Sequence, residues 1–300
     1  MHNLEVYILD LEFLGNPKAI ASFLIPHSAG VVLVESGPGS TWPALQAGLA
    51  KYGYRPGDVT DLLLTHIHLD HAGAAGALAK HGARVHVHEI GGPHMADPRR
   101  LLGSARRIYR EQMDALWGDF FPVPEPQLNF LTDGATVVVE DLVFQVFDTP
   151  GHANHHCSFL LEDLCFVGDV GGVRLPGAAH VEIPLPPPET HLERWIASLD
   201  RLETLSIQRI ATTHFGIHDD TDWHLKNLRN GIDAVNSWLL KTIAGEPDLQ
   251  TFRNLFYAWV RDLEDKSGIA PERIEVFASV NPREMSADGL YRYWKKHLSV

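Results

Sequence analysis

Short apolar runs of strand character recur through the first two-thirds of the chain, and helical spacing takes over in the last third. The runs "LEVYILDLEF", "ASFLIP" and "GVVLVESG" read as an opening set of strands. The stretch 40–53, "STWPALQAGLAKYG", reads as a helix capped by Ser40 or Thr41 and ended at Gly53. An apolar strand over 61–65, a small-residue helix over 72–82 and an alternating strand over 83–90 follow. Residues 96–121 predict a helical insertion, with Asp97 as its cap and Pro98 at its first position. Strands return over 135–149, 158–169 and 207–214. The Pro-rich connector "IPLPPPET" (183–190) reads as ordinary loop chemistry, leading into the amphipathic helix "HLERWIASLDRLETL". Beyond about residue 220, Leu225, Leu228, Ile232, Val235 and Leu239 keep helical spacing, as do Leu249, Phe252, Phe256, Trp259 and Leu263. Core packing is the expected role of Phe252, Phe256, Trp259 and Trp294, and a homodimer interface through these C-terminal helices is the other option. The order predicts an α/β fold of sheets covered by helices over 1–220, with a helical C-terminal extension over 221–300.

One stretch does not fit a purely structural role. "THIHLDHAG" crowds His66, His68, Asp70 and His71 together just past an apolar strand. His66 and His68 share a face in extended chain, and Asp70 and His71 occupy the turn that follows. One short loop does not readily close four ligands around a single tetrahedral ion, and a catalytic ion needs an open position. The economical arrangement is two ions side by side, begun by His66 with His68 and by Asp70 with His71, and sharing a carboxylate. Further candidates are His152, Asp169 and His214, each at the C-terminal end of an apolar run. Ligands at strand ends converge along one rim of a rigid core.

Composition narrows the chemistry. With 25 Lys+Arg against 38 Asp+Glu, the net charge of -13 disfavours nucleic acid as a partner and tolerates bound cations. Cys157 and Cys165 form no metal-binding or disulfide pattern and read as small buried apolar residues. The start of the chain lacks a basic and then apolar leader, and no apolar run approaches the ~18 residues of a membrane span. A soluble, cytoplasmic protein with no membrane partner is expected.

The motifs "THIHLDH", "TPGH", "GD" and "TTH" resemble, in order and rough spacing, those of the metallo-β-lactamase-fold hydrolases, over about residues 4–218. The resemblance implies an αββα metallo-β-lactamase sandwich, here with a helical insertion and a helical C-terminal extension. It implies His66, His68 and His152 on one metal, Asp70, His71 and His214 on a second, and Asp169 bridging them. "LVESGPG" (33–39) looks like the family's strand-turn near the site, with Glu35 where Asp is usual. His156 matches a frequent family histidine that is not usually a ligand, and His155 reads as a supporting or surface residue. The glyoxalase II-like and lactonase-like branches fit best, with no subfamily singled out.

Five imidazoles and two carboxylates suit two Zn2+, with iron or manganese as alternatives. Metal coordination lowers the pKa of water from ~15.7 to about 7. The expected function is a dinuclear hydrolase in which a metal-bridging hydroxide attacks the carbonyl of a small ester, thioester or lactone. Asp70 is the expected catalytic residue, orienting the nucleophile or passing a proton to the leaving atom. The substrate is a small molecule. Arg99, Arg100, Arg106, Arg107 and Arg110 beside Tyr109, Trp117, Phe120 and Phe121 in the insertion read first as a surface helix with solvated arginines; the alternative is a lid over the metals, a partly apolar wall with an Arg that grips an anionic substrate. Two rival readings are a mononuclear iron persulfide dioxygenase using His66, His152 and Asp169, and a non-catalytic metal-binding protein.

Overall fold

A computed structural model describes residues 4–177 and 180–299. Twelve strands among them form two six-stranded sheets. The first contains β1 (Tyr7–Asp10), β2 (Ala21–His27), β3 (Gly30–Val34), β4 (Val59–Leu63), β5 (Arg84–His88) and β6 (Leu128–Leu131), in that order. The second contains β7 (Thr136–Val139), β8 (Leu142–Asp148), β9 (Cys157–Leu161), β10 (Leu164–Phe166), β11 (Arg209–Thr212) and β12 (Gly216–His218), again in order. Strands β3 to β6 run parallel, as do β10 and β11, and the remaining neighbours are antiparallel.

The period of two along the strands assigns the faces. Cys157, Phe159, Leu161, Leu164 and Phe166 enter the core between the sheets, while Leu160 and Cys165 enter a second core under helices. Phe23 of the first sheet meets Phe166 of the second edge to face, ring centroids 5.3 Å apart. The two cysteines thus sit in different cores, both buried, and burial raises both thiol pKa values.

Helices cover both sheets. Against the first lie α1 (Trp42–Lys51), which packs on β1, and, after the short turn α2 (Leu69–Ala72), α3 (Ala75–Lys80), which packs on β4 and β5. Thr41 is the cap residue of α1, as expected, but neither hydroxyl caps a helix N–H: Ser40 Oγ donates to the Leu116 carbonyl at 2.6 Å and Thr41 Oγ1 to the Pro38 carbonyl at 3.0 Å. A 3-10 turn over Gly39–Thr41 starts the helix instead. Over 96–121 the insertion is two helices rather than one, α5 (Arg99–Tyr109) and α6 (Met113–Trp117), and the short α4 (Gly92–Ala96) ends at the insertion's first residue. Pro98 is the cap residue of α5 rather than its first turn, and Asp97 accepts from the Arg99 backbone N–H at 3.3 Å.

The second sheet is covered by α7 (Leu192–Glu203), α8 (Thr221–Ile243), α9 (Leu249–Ser267) and α11 (Arg283–Tyr293), with α10 (Pro271–Val280) between the last two. Phe252, Phe256 and Trp294 are buried in the core that these helices share with Leu160, Cys165 and Trp195, so packing within the chain accounts for them. Ile269, Val276 and Phe277 belong to the same continuous apolar cluster as the residues packed between the sheets. No helix among the described residues is long and apolar enough to cross a membrane.

Candidate metal centre

Strands β4, β8, β10 and β11 end along one edge of the sandwich, and the chain leaving each carries a polar side chain into it. His66, His68, Asp70 and His71 follow β4, His152 follows β8, Asp169 follows β10 and His214 follows β11. The sheets are stitched together there: Cys157 N–H donates to the Thr65 carbonyl and Ala21 N–H to the Thr213 carbonyl, each at 2.8 Å. Gly168, with φ +45°, turns the chain before Asp169. A Cβ there would overlap the Thr65 hydroxyl, so the motif needs glycine at this point.

All seven side chains singled out from the sequence meet at this edge, in two sets. The ligand-capable atoms of His66, His68, His152 and Asp169 lie within 4.8 Å of one another, as do those of Asp70, His71, Asp169 and His214. Asp169 belongs to both: its Oδ2 is 3.3 Å from His152 Nε2, and its Oδ1 is 3.2 Å from His71 Nε2 and 3.4 Å from His214 Nε2. Asp70 Oδ2 lies 3.5 Å from both His71 Nε2 and His214 Nε2. In the first set, His68 Nδ1 is 3.0 Å from His66 Nε2 and 2.9 Å from His152 Nε2.

The far nitrogen of four rings is already engaged, which orients each ring and leaves Nε2 facing the centre. His152 Nδ1 donates to the Pro184 carbonyl and His214 Nδ1 to the Ala19 carbonyl, both at 2.9 Å. His71 Nδ1 donates to Glu35 Oε1 at 3.2 Å, and His66 Nδ1 is 3.0 Å from Thr65 Oγ1. Glu35 is fully buried at φ +67° and also accepts from the Thr65 hydroxyl. It therefore supports both His71 and the Thr65–His66 turn from beneath, the position expected of the family's Asp. His156 takes no place among the converging atoms. Its Nδ1 pairs with Thr149 Oγ1 at 2.9 Å and its Nε2 accepts from Val170 N–H at 3.3 Å, which ties the β8 and β10 loops together. His155 faces Glu189 at 3.7 Å, and burial lowers its pKa to about 4.

The donor set fits divalent ions. His71 Nε2, Asp169 Oδ1 and His214 Nε2 are buried and have no hydrogen-bond partner among the described residues, although they face one another. Buried polar atoms are otherwise paired in folded proteins, so such a cluster is what a cation would satisfy. The charges agree. Burial holds His66 and His68 well below the usual imidazole pKa, so both are neutral donors. Burial works against charge on His71 and His214 too, but Asp169 and Asp70 prevail and raise both. Asp70 and Asp169 are held low by these imidazoles in spite of burial.

A family model described as the metallo-β-lactamase superfamily matches residues 15–214. The chain belongs to this superfamily of metal-dependent hydrolases. It is 28% identical over 200 residues to an atrochrysone carboxyl ACP thioesterase from Aspergillus fumigatus, a match covering 64% of this chain and half the length of that enzyme. It is 26% identical over 295 residues to a hydroxyacylglutathione hydrolase from Xylella fastidiosa strain M12, covering 92% of each. The crystal structure of an archaeal metallo-β-lactamase superfamily protein from Sulfolobus tokodaii has the same fold, with a TM-score of 0.66 at 18% identity over 96% of this chain and 99% of that one.

A fold does not by itself specify a substrate, so what sits above the sheet edge bears on what this chain can bind. Here a cleft of about 970 Å³ opens over His68, Asp70, His152 and Asp169. One wall is the insertion, including Arg100, Arg107, Tyr109, Arg110 and Trp117. Arg106, Phe120 and Phe121, singled out with them from the sequence, do not line it, and Arg99 is paired with Asp97. The opposite wall was not legible in advance: it is the strap around Pro184–Glu189 with the α10–α11 corner, including Asn281, Met285 and Ser286. Tyr109 joins the two walls by donating to Met285 Sδ at 3.4 Å.

Proposed function

We propose that this protein is a dinuclear hydrolase of a small ester, thioester or lactone, with zinc the first choice of metal. The observation that carries the reading is Asp169, which offers one carboxylate oxygen to each of two histidine sets. His66, His68 and His152 would hold one ion, Asp70, His71 and His214 the second, and Asp169 both. Two such ions supply a water ionised near neutral pH and a Lewis acid for a carbonyl oxygen. A mononuclear iron dioxygenase would leave Asp70, His71 and His214 without a task.

The chain's own residues do the rest. Asp70 lines the cleft as an ionised carboxylate, able to orient a water and to carry its proton toward a leaving atom. Tyr109, Trp117 and Met285 give the cleft an apolar flank for an acyl chain. Arg100, Arg107 and Arg110 line the same cleft and make no ion pair among the described residues, in a protein of net charge -13. They suit an anionic group on the substrate. The division near residue 220 belongs to this proposal: a catalytic unit over 1–220, with the extension 221–300 closing one wall of its cleft.

A panel of matched anionic and neutral thioesters and lactones tests the reading. Zinc-loaded protein is expected to hydrolyse members of the panel. Arg107→Ala is expected to raise KM for an anionic thioester by about tenfold, the equivalent of one charge-assisted hydrogen bond. Its neutral analogue should be unaffected, and Arg106→Ala should change neither. Oxygen consumption with a persulfide and one iron per chain would overturn the hydrolase.

A further inference from the structure

We propose that Ser286 and Asn281, in the C-terminal helical region, are positioning residues for His152, acting through a single peptide group of the Pro-rich strap. The inference rests on His152 being a metal ligand.

The peptide joining Pro184 to Leu185 is held at both ends. Its carbonyl accepts from His152 Nδ1 at 2.9 Å, and its N–H donates to Ser286 Oγ at 3.2 Å. The Ser286 hydroxyl donates in turn to Asn281 Oδ1 at 2.8 Å, and Asn281 Nδ2 donates to Glu182 Oε2 at 3.0 Å. Because the peptide group is planar, its carbonyl cannot turn away from His152 without swinging the N–H away from Ser286. A carbonyl has no proton to give, so this contact fixes the proton on His152 Nδ1 and leaves the Nε2 lone pair facing His68 and Asp169. Ser286 is buried, with its hydroxyl held between the Leu185 N–H and Asn281 Oδ1, so removing it takes a partner from both groups.

The helix also sits directly on the strap. Gly289, on α11, approaches so closely that a Cβ there would overlap the Leu185 carbonyl oxygen. The strap therefore has little freedom to re-aim its peptide, and the orientation of a ligand on the β8 loop is set by a helix more than 100 residues later in the chain.

Two readouts on the full-length protein test this: zinc affinity by chelator competition, and the His152 tautomer of the metal-free protein by 15N NMR. Wild type is expected to carry its proton on Nδ1. Ser286→Ala, a substitution that favours the helix, is expected to weaken zinc binding by about tenfold and to mix the two tautomers. Asn281→Ala should move both readouts in the same direction. Leu290→Ala, which truncates a buried side chain of the same helix, should lower Tm while leaving both readouts unchanged. Unchanged affinity and tautomer in Ser286→Ala and Asn281→Ala would overturn the proposal, as would equal changes in Leu290→Ala. A wild-type protein that binds no zinc, yet loses its His152 tautomer in Ser286→Ala, would overturn the metal reading and support the positioning role.

Discussion

His66, His68 and His152 meet as three imidazoles whose burial keeps them neutral, whereas His71 and His214 meet between Asp70 and Asp169, which draw protons onto them. The residue types are the same; the number of carboxylates around each ring differs. In the first half His68 Nδ1 faces both His66 Nε2 and His152 Nε2, so at most one N–H serves two lone pairs, an arrangement that gains when a cation takes the space between them. In the second half the carboxylates gather positive charge as protons, so an ion arriving there replaces protons already held. Asp169 is the one residue common to both halves, and the comparison turns on it.

Breaking the comparison outright therefore means removing that carboxylate. Asp169→Ala is expected to empty both halves and to lower kcat/KM on the active substrate by on the order of 10⁴-fold, with metal content below one ion per chain. Retention of two ions would show that the halves are independent.

A smaller effect separates the halves by pH in the metal-free protein. His71 has a folded pKa above its ordinary 6.5, so its stabilisation is full below pH 6.5 and is lost as pH rises through the folded value. His66 has the opposite sign: it stays neutral when folded, so stability present above pH 6.5 is lost as pH falls toward its folded value. Urea unfolding is expected to find His71→Ala destabilised most in acid, with the gap narrowing in alkali. His66→Ala should soften the acid loss. Parallel pH profiles for the two variants would erase the distinction.

The smallest effect lies outside both halves. Burial raises the Glu182 carboxyl to about pH 7, well above its ordinary 4.5. Its contribution is full below pH 4.5 and is lost as pH rises through 7. Glu182→Gln, which keeps an acceptor for Asn281, is expected to raise stability at pH 8.5 by about 1–2 kcal/mol and to change little at pH 4.5. Equal stability of the two proteins at pH 8.5 would count against a neutral Glu182.

The strand-end motifs were legible because each consists of side chains adjoining an apolar run, and the sandwich follows from the same runs. Elements set by context were not. β12 is three residues with a glycine at its start, and α10 lacks the long apolar spacing of α8 and α9. The insertion starts its first helix after Asp97–Pro98 and breaks into two at Arg110, whose φ is positive. The strap over 183–190 read as an ordinary loop because its contribution is a backbone carbonyl, which no residue type announces. Arg106 and Arg107 are indistinguishable in sequence, and the rotation of α5 decides which of them lines the cleft.

The most direct test of the shared-carboxylate centre is anomalous diffraction at the zinc edge from crystals of the zinc-loaded protein. The account predicts two peaks about 3.5–4 Å apart, flanking the Asp169 carboxylate, one among His66, His68 and His152 and the other among Asp70, His71 and His214. A single peak, or zinc bound away from Asp169, would contradict it.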